Sequence, residues 1–461
     1  MIFEQKMNFW GMLKFTIPSM FMMLVMSLYS MVDGLFVSNL ISTNALSAIN
    51  LAFPVINLIF GFAVMFATGG SAVVMKKMGE QRQKEALGDF SFIVVVAAVI
   101  GIVITVISLL CSPQIIQWLG ATEKLEKDAQ DYLFYSAIFF LPTVLATILE
   151  QFMISSGNSK LAFGCTLLGG VINVVLDYVL IAVVHLGIKG AAIATGLGYL
   201  VPAVIGIWYF MSPQRPLYFL SPSRNWKALI KAMTNGSSEM FTNLANGIVT
   251  FLFNINMLHY LGEDGIAAIT IVLYAQFFLT AISLGYSMGV SPMISYQYGA
   301  QNQTQLSKII RYSMLFMIIT SILTLILSMT SADLLVGVFA QKNTAVFELA
   351  LSGFQIYGIS FLFMGTNIFI SGMFTAFSNG KISALLSILR TLVLVVIGMI
   401  ILPKFLGVNG IWAVVPVAEC LSMVLSIAML MHYRSRYGYQ LGRAKLVKDG
   451  EKYHMVCKNQ D

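Results

Sequence analysis

Residues 69–81 read GGSAVVMKKMGEQ, and residues 289–301 read GVSPMISYQYGAQ, which repeats two glycines and the final glutamine after 289 − 69 = 220 positions. A second pair of blocks has the same offset, because LGIKG at 186–190 returns as LGVNG at 406–410. Similarity at one long, fixed period indicates an internal duplication. We therefore expect two halves of the chain to share one fold.

Composition predicts that both halves are embedded in a membrane. Of the 461 residues, 58% are hydrophobic and 10% are charged, whereas soluble proteins carry roughly 25% charged residues. The apolar runs approach the ~20 residues that a helix needs to cross ~30 Å of hydrocarbon. We predict an all-α polytopic membrane protein with twelve transmembrane helices, near residues 11–35, 48–75, 90–111, 131–156, 161–184, 190–211, 228–258, 266–295, 309–331, 347–377, 382–403 and 409–433.

Each half holds six spans, an even number, so both halves have the same orientation. They are expected to form two six-helix lobes related by a pseudo-twofold axis along the membrane normal. The predicted divisions are an amino-terminal lobe (1–215), a cytoplasmic linker (216–227), a carboxy-terminal lobe (228–435) and a polar, basic cytoplasmic tail (436–461).

Basic residues predict the orientation. Most of the 27 Lys and Arg residues are predicted on one side of the membrane. The five on the other side are Lys124, Lys127, Lys189, Lys342 and Lys404. The other 27 − 5 = 22 fall on the side that carries both termini, and this count includes Arg390. Because positive loops stay inside, both termini are predicted to be cytoplasmic, in the cell membrane. These loops account for the net charge of +7, so we expect membrane lipids and not nucleic acid as partners.

The cysteine and histidine patterns argue against disulfide bonds, a metal cluster and enzymatic catalysis. The four cysteines are far apart, which suggests neither a disulfide framework nor a metal cluster. The four histidines lie near loops or span ends, and no nucleophile–base arrangement is visible, so we expect no enzyme and no cofactor. The first run contains Asp33 and lacks a small-residue cleavage site, which predicts a retained helix.

Acidic residues inside the spans are the main functional signal. A charge at the bilayer centre costs at least ~2.5–3.5 kcal/mol, so such residues are candidates for function by default. Because Arg390 and Lys231 are expected near cytoplasmic ends, we predict no base deep enough to neutralise all the acids. They must then be protonated, hydrated or bound to cations. The five acids are Asp33, Glu150, Asp177, Glu239 and Glu419.

Asn173 and Asp177 are four residues apart, which places an amide oxygen and a carboxylate on one face of the fifth span. These hard oxygen ligands suit a small cation or a titrating proton. The alternative is an Asn–Asp pair that ties helices together. Asp33, one turn after Tyr29, is predicted to face the same interior, or alternatively to lie near the outer interface.

Polar residues follow one face of the seventh span at steps of three or four. Such a stripe faces either a hydrated cavity or polar groups of another helix, where it would serve packing. Glu150 and Glu419 are equally open between cavity lining and structural pairing. Flexible methionines suit a binding surface, although ordinary packing explains them as well. The stripe comprises Asn235, Glu239, Asn243, Asn246, Thr250 and Asn254. The predicted substrate path comprises Glu239, Asn243, Asn246, Glu150, Tyr29 and Met288.

Twelve spans in two lobes, with Asp33 in the first span and Asn-Val-Val-Leu-Asp at 173–177 in the fifth, resemble the multidrug and toxic compound extrusion (MATE) family. The resemblance covers about residues 8–435. Ile-Leu-Glu-Gln-Phe at 148–152 and Gly-Asn-Ser-Lys at 157–160 resemble its DinF-like branch of bacterial multidrug exporters.

The resemblance implies antiport, in which entry of H⁺ or Na⁺ drives export of organic cations and other amphipathic drugs. Position by position, it implies that Asp33, Asn173, Asp177 and Thr195 form the coupling-cation site, and Na⁺ would be held by the first three. Glu239 resembles a seventh-span acid of another branch, but the tenth span lacks the carboxylate that accompanies it there. The coupling site is therefore predicted in the amino-terminal lobe, and a monomer would suffice.

Two other functions stay open at this point. An exporter or flippase of an endogenous lipid-linked or amphiphilic substrate would share the architecture, although such proteins commonly need a cationic cavity and the membrane groups here are acidic. A passive channel or scaffold would not explain acids without matching bases.

Overall fold

The described residues of the computed structural model are 2–4, 8–41, 43–120, 123–440, 445–449 and 452–456. Among them, ten helices are long and apolar enough to cross a membrane. One of these, Trp226–Gly299, contains two spans, because Gly262 has non-helical φ and ψ of 70° and −154°. Another span is a pair of helices, Leu125–Ala137 and Phe140–Ser155, that meet at a 52° bend. The predicted twelve-helix membrane fold is confirmed.

The twelve spans are numbered in chain order. The fourth span is bent, the fifth and eleventh contain a π-helical turn, and the tenth contains a 3₁₀ turn. Their bounds are Phe9–Leu40, Thr43–Gly79, Gln83–Trp118, Glu123–Ala137 with Phe140–Ser155, Ser159–Asp177 with Tyr178–Val183, Ile188–Phe210, the two parts of Trp226–Gly299, Gln303–Thr330, Ala345–Tyr357 with Gly358–Ser360 and Phe361–Ala376, Gly380–Ile388 with Leu389–Val393 and Leu394–Leu406, and Val408–His432.

Short elements flank the spans. They are the 3₁₀ turn Ile2–Glu4, the helices Ala332–Gly337 and Arg434–Tyr437, and two antiparallel strands, Lys445–Asp449 and Lys452–Val456. The strands lie in the predicted polar tail, for which the sequence pattern predicted no strand. The lobe and linker boundaries stay predictions, and residues 212–225 between the sixth and seventh spans are non-helical.

The backbone repeats with the sequence. Gly187 and Gly407, which are 407 − 187 = 220 residues apart, have φ and ψ of 58°, −134° and 58°, −135°. Gln81 and Gln301 have the same offset, and both adopt positive φ, at 62° and 53°. Since non-glycine residues rarely adopt positive φ, the matched turns show that corresponding helices in the two halves are connected in the same way.

The halves are in closest contact at one end of the bundle. We call this the basic end, where the second span ends at Gly79 and the eighth ends at Gly299. A Cβ on Gly69 would lie 2.0 Å from the Ala232 carbonyl oxygen, and one on Gly236 would lie 2.0 Å from the Met65 carbonyl oxygen. Glycine is needed here because any side chain would force the second and seventh spans apart.

Contact loosens towards the opposite end. A Cβ on Gly61 would meet Met240 Cγ at 3.2 Å, and one on Gly247 would meet Asn57 Nδ2 at 3.6 Å. A Cβ fits in ordinary van der Waals contact at 3.6 Å, and at 3.2 Å the Met240 side chain would need to shift by only a few tenths of an ångström. The two lobes are therefore closed against each other at the basic end.

A buried ion pair fixes the non-helical connection at the basic end. The carboxylate of Asp89, 1% exposed, accepts hydrogen bonds from Lys77 Nζ and, at 2.7 Å, from Ser223 Oγ. The backbone of Ser223 also donates to the Gly88 carbonyl at 3.1 Å. The connection between the lobes is thereby held against the start of the third span.

Replacing Asp89 with Asn should destabilise the folded protein by about 3 kcal/mol, because the largely buried Lys77 would lose its buried partner and keep only Glu85, a half-exposed carboxylate at 3.4 Å. Denaturation of the purified protein in detergent measures the effect. The matched control is Asp333→Asn at an exposed carboxylate that pairs with the exposed Lys342, where little change is expected. Equal stability of the two variants would contradict the role of Asp89.

Candidate functional site

The fifth span carries Asn173 and Asp177 on its inner face. Asp177 is 0% exposed and Asn173 is 3% exposed, and Asn173 Nδ2 donates to Thr195 Oγ1 of the sixth span at 3.4 Å. The helices approach closely because Gly169 and Gly198 face each other, so that a Cβ on Gly169 would lie 2.5 Å from the Gly198 carbonyl oxygen. The α-helix gives way to a π-helical turn directly after Asp177, a distortion frequent at functional sites.

Asp33 of the first span lies beside Asp177, with the two carboxyl groups within hydrogen-bonding reach of each other. Both oxygens of Asp177, Asp33 Oδ1 and Asn173 Oδ1 are buried without a hydrogen-bond donor among the described residues. Two adjacent carboxylates in a membrane interior repel each other unless a proton or cation lies between them. The four residues Asp33, Asn173, Asp177 and Thr195 therefore lie close together, and their role as a cation site stays a prediction.

This oxygen set fits a small hard cation. Carboxylate, amide and hydroxyl oxygens are ligands for Na⁺-like ions and for protons rather than for soft metals. No group of three or more His, Cys, Asp or Glu residues is clustered for metal binding in the described ranges. The unpaired oxygens of Asp33, Asn173 and Asp177 are those that a shared proton or one Na⁺ would satisfy.

Sequence reasoning missed Tyr132 of the fourth span. It is 6% exposed and close enough to Asp33 and Asp177 to interact with both electrostatically. Tyr132, Thr195 and Tyr199 line a cavity of about 50 Å³ between the second, fourth and sixth spans. Water fits in such a space when polar groups line it. A single tyrosine within a predicted span carries no signal that marks it before the helices are packed.

Tyr29 and Glu150, assigned to the substrate path, lie among the helices of the amino-terminal lobe. Tyr29 Oη and Tyr199 Oη share a hydrogen bond of 3.2 Å, and Glu150 Oε1 accepts one from Thr166 Oγ1 of the fifth span at 2.8 Å. The Tyr29 ring fits against Gly170, where a Cβ would approach it to 3.1 Å. Both residues thus belong to the same lobe as the paired aspartates.

The seventh-span stripe has two parts. Asn235, 1% exposed, donates to the Thr375 carbonyl oxygen of the tenth span at 2.7 Å, which is the packing role. Glu239 and Asn243 are partly exposed, and Asn246 is exposed. Met288 of the eighth span is partly buried and packs against the core. The predicted path residues Glu239, Asn243 and Asn246 are therefore at least partly exposed, as are Thr250 and Asn254 further along the stripe.

The prediction that Arg390 lies near a cytoplasmic end is wrong. Arg390 Nη1 is 3.7 Å from Glu419 Oε1. The eleventh span begins at Gly380, so Arg390 lies 390 − 380 = 10 residues into it, about 15 Å at the α-helical rise. Counting Arg390 with the loops failed because the charged residue lies inside the span and its partner is on another helix. Glu419 therefore has the structural pairing that was one of its two predicted roles.

A family model and several known proteins match the chain over most of its length. The MatE family model matches residues 18–179 and 240–400, one segment in each half. The chain is similar to the multidrug export protein MepA of Staphylococcus saprophyticus, with 24% identity over 97% of this chain and 98% of that protein. It is also 26% identical to MepA of Staphylococcus haemolyticus over the same shares.

Solved structures share the fold. A multidrug resistance MATE family transporter in an outward-facing conformation superposes with a TM-score of 0.87 at 21% identity, covering 92% of this chain and 96% of that one. A MOP superfamily transporter from Pyrococcus furiosus superposes with a TM-score of 0.86 at 22% identity, covering 93% and 96%. Together with the family match over more than half of the chain, this confirms the predicted resemblance: the chain belongs to the MatE family.

Proposed function

We propose that this protein is a secondary active multidrug exporter that exchanges H⁺ or Na⁺ for cationic or amphipathic organic compounds. The observation that carries the proposal is the contact between Asp33 and Asp177, two buried carboxyl groups without a donor for three of their oxygens. Export is supported by the similarity to proteins named multidrug export protein MepA along nearly the whole chain.

The coupling cation would bind between Asp33 and Asp177, with Asn173 and Thr195 completing the ligands. The drug would use the accessible part of the stripe, Glu239 with its neighbours, in the space between the lobes. Binding of the cation must favour one arrangement of the lobes over the other, since coupling needs a difference in affinity between the two states. The separation of the cation site from the drug path allows each to act on the same conformational equilibrium.

We further propose that the basic end faces the cytoplasm of the cell and that both termini lie there, because most Lys and Arg residues outside the spans belong to this side. The lobes are in contact at that end, so the described state would open away from the cytoplasm. Assignment to the DinF-like branch stays a prediction.

The test uses proteoliposomes that contain a pH-sensitive dye. Ethidium is added under an imposed proton gradient, with and without Na⁺, and dye response and ethidium movement are recorded together. Proton flux that depends on ethidium, or ethidium movement driven by a sodium gradient, is the expected result. If neither gradient moves ethidium, the multidrug proposal fails and an endogenous lipid-linked or amphiphilic substrate becomes the better assignment.

Glu239→Gln should weaken the binding of cationic substrates by about tenfold, a typical value for one lost charge contact, and change neutral substrates little. Equilibrium binding of ethidium and of a neutral amphipathic dye to the purified variant measures the difference. Thr242→Val, one turn away and hydrogen-bonded to its own helix, is the control. Equal losses for the cationic and neutral ligands would assign Glu239 to packing.

A further inference from the structure

The 3₁₀ turn Ile2–Glu4 packs against the first and eighth spans at the basic end. Phe3 is 1% exposed. Its ring meets Phe15 of the first span edge-on at a centroid distance of 5.4 Å and Tyr296 of the eighth span at 6.0 Å, distances typical of favourable aromatic pairs. The Phe3 carbonyl oxygen accepts a hydrogen bond of 2.6 Å from Gln297 Nε2 of the eighth span. One short turn therefore contacts both halves of the protein.

The first and eighth spans meet along a line of close contact, which we call the seam. A Cβ on Gly285 would lie 2.3 Å from the Ser19 carbonyl oxygen, and one on Gly289 would lie 3.0 Å from Thr16 Cγ2. Thr16 and Ser19 are 0% exposed. Because the seam joins the two halves, it must separate if the halves part at the basic end. Phe3 would then lose its contacts with one of the two spans.

The connection before the seventh span is held in a corresponding way. Ser223, which lies 223 − 3 = 220 residues after Phe3, donates to the Asp89 carboxylate. Asp89 also accepts from Lys77, which lies 297 − 77 = 220 residues before Gln297. The segment that precedes the first span of each half is thus held by residues of the other half.

The two attachments differ in charge. The counterparts of Lys77 and Asp89 at the same offset are Gln297 and Ile309, which are neutral. Breaking a buried ion pair costs more than breaking one neutral hydrogen bond. The turn is therefore held more weakly than the connection between the halves, and it is the attachment that can be released more easily.

A cavity of about 320 Å³ adjoins the turn. Its walls include Glu4, Gln81, Arg215 and Tyr296. Because most of these side chains are polar and the space is large enough, it accommodates water. The turn thus has water on one side and the seam on the other, and Phe3 can leave the seam towards this space.

We propose that the turn Ile2–Glu4 is a releasable strap that favours the state closed at the basic end. Phe3 is fully buried only while the first and eighth spans stay together, so its burial stabilises that arrangement over the one in which they part. Removing the ring should lower the ratio of closed to open protein by about tenfold to a hundredfold, the equivalent of burying one such side chain. The strap needs neither the coupling cation nor the drug, so the inference is independent of the proposed function.

The test measures how often the seam opens, through the reaction rate of a thiol placed inside it. The four native cysteines are replaced with serine, and Ser19→Cys supplies one buried thiol. When the seam closes faster than the reagent reacts, the rate at which a charged maleimide labels the purified protein is proportional to the open fraction. Phe3→Ala should raise this rate by about tenfold to a hundredfold. Gln297→Met, which removes the donor to the Phe3 carbonyl, should raise it by about fivefold.

Two controls separate release of the strap from general loosening. Trp10→Ala removes an aromatic side chain of the first span that is 73% exposed, and it should leave the rate unchanged. The second control keeps native Cys165 as the single thiol. It is 2% exposed and lies one turn before Gly169, on the face of the fifth span that meets the sixth. Its rate should be the same with and without Phe3→Ala.

An unchanged rate at the thiol in position 19 of folded Phe3→Ala protein would overturn the inference. An equal rise at Cys165 would also overturn it, because the substitution would then loosen the amino-terminal half as a whole. If Phe3→Ala does not fold, Gln297→Met decides alone, and an unchanged rate in that variant overturns the inference. The labelling uses neither a gradient nor a drug, so its outcome is separate from that of the flux measurement.

Discussion

Asp177→Asn is expected to reduce gradient-driven ethidium export by about a hundredfold, the upper end of the roughly 10–100-fold cost of changing even the partners of cation ligands. The substitution keeps the shape of the side chain but removes the charge that a proton or Na⁺ would neutralise. Because the buried carboxyl has no donor to lose, folding should be preserved. Flux into proteoliposomes, normalised to the amount of folded protein, gives the measurement.

Asp131→Asn is the matched control for this variant. Asp131 also lies in a span, but it is partly exposed and pairs with Lys189 at 3.3 Å. Its replacement should leave transport close to wild type. Full transport by Asp177→Asn would remove this residue from the coupling site, and equal losses in both variants would point to a general effect of lost acids.

Gly236→Ala is expected to open the basic end of the bundle. The new Cβ would lie 2.0 Å from the Met65 carbonyl oxygen, so the second and seventh spans must separate. Overpacking of this kind costs about 1–3 kcal/mol, which lowers the ratio of closed to open protein by about 5–150-fold. The native cysteines are first replaced with serine, and spin labels are attached at Lys84 and Thr304, one in each half and both exposed. The distance between the two labels should be longer in Gly236→Ala than in the parent protein.

Gly164→Ala is the control for crowding, since a Cβ there would meet nothing within 4 Å. It should leave the label distance and transport unchanged. An unchanged distance in Gly236→Ala would show that the lobes do not depend on the glycine contact for closure at this end.

The sequence predicted the fold well because its signals are local. Apolar runs define spans one at a time, and the repeated LGIKG and LGVNG blocks mark turns whose dihedral angles agree at Gly187 and Gly407. The four-residue spacing of Asn173 and Asp177 likewise needs only helical periodicity. Such features can be recognised without knowing which helices are neighbours.

The remainder of the site depends on contacts between distant spans. Tyr132 approaches Asp33 and Asp177, and Arg390 approaches Glu419, only once the helices are packed. The stripe shows the same limit, because Asn235 and Glu239 share a helical face but meet different surroundings: a tenth-span carbonyl for Asn235 and partial exposure for Glu239. Helical periodicity predicts which residues share a polar face, whereas tertiary packing decides what each of these residues contacts.

The central claim is that the Asp33–Asp177 pair exchanges its cation against drug binding, and equilibrium linkage tests it most directly. Ethidium affinity of the purified protein is measured while H⁺ and Na⁺ are varied separately, in wild type and in the double variant Asp33→Asn, Asp177→Asn. In wild type, one of the two cations should weaken ethidium binding by about 5–150-fold, the usual range of coupling between sites. The double variant should bind ethidium with an affinity that neither cation changes. A wild-type affinity that responds to neither cation, or a response that persists in the double variant, would contradict the account.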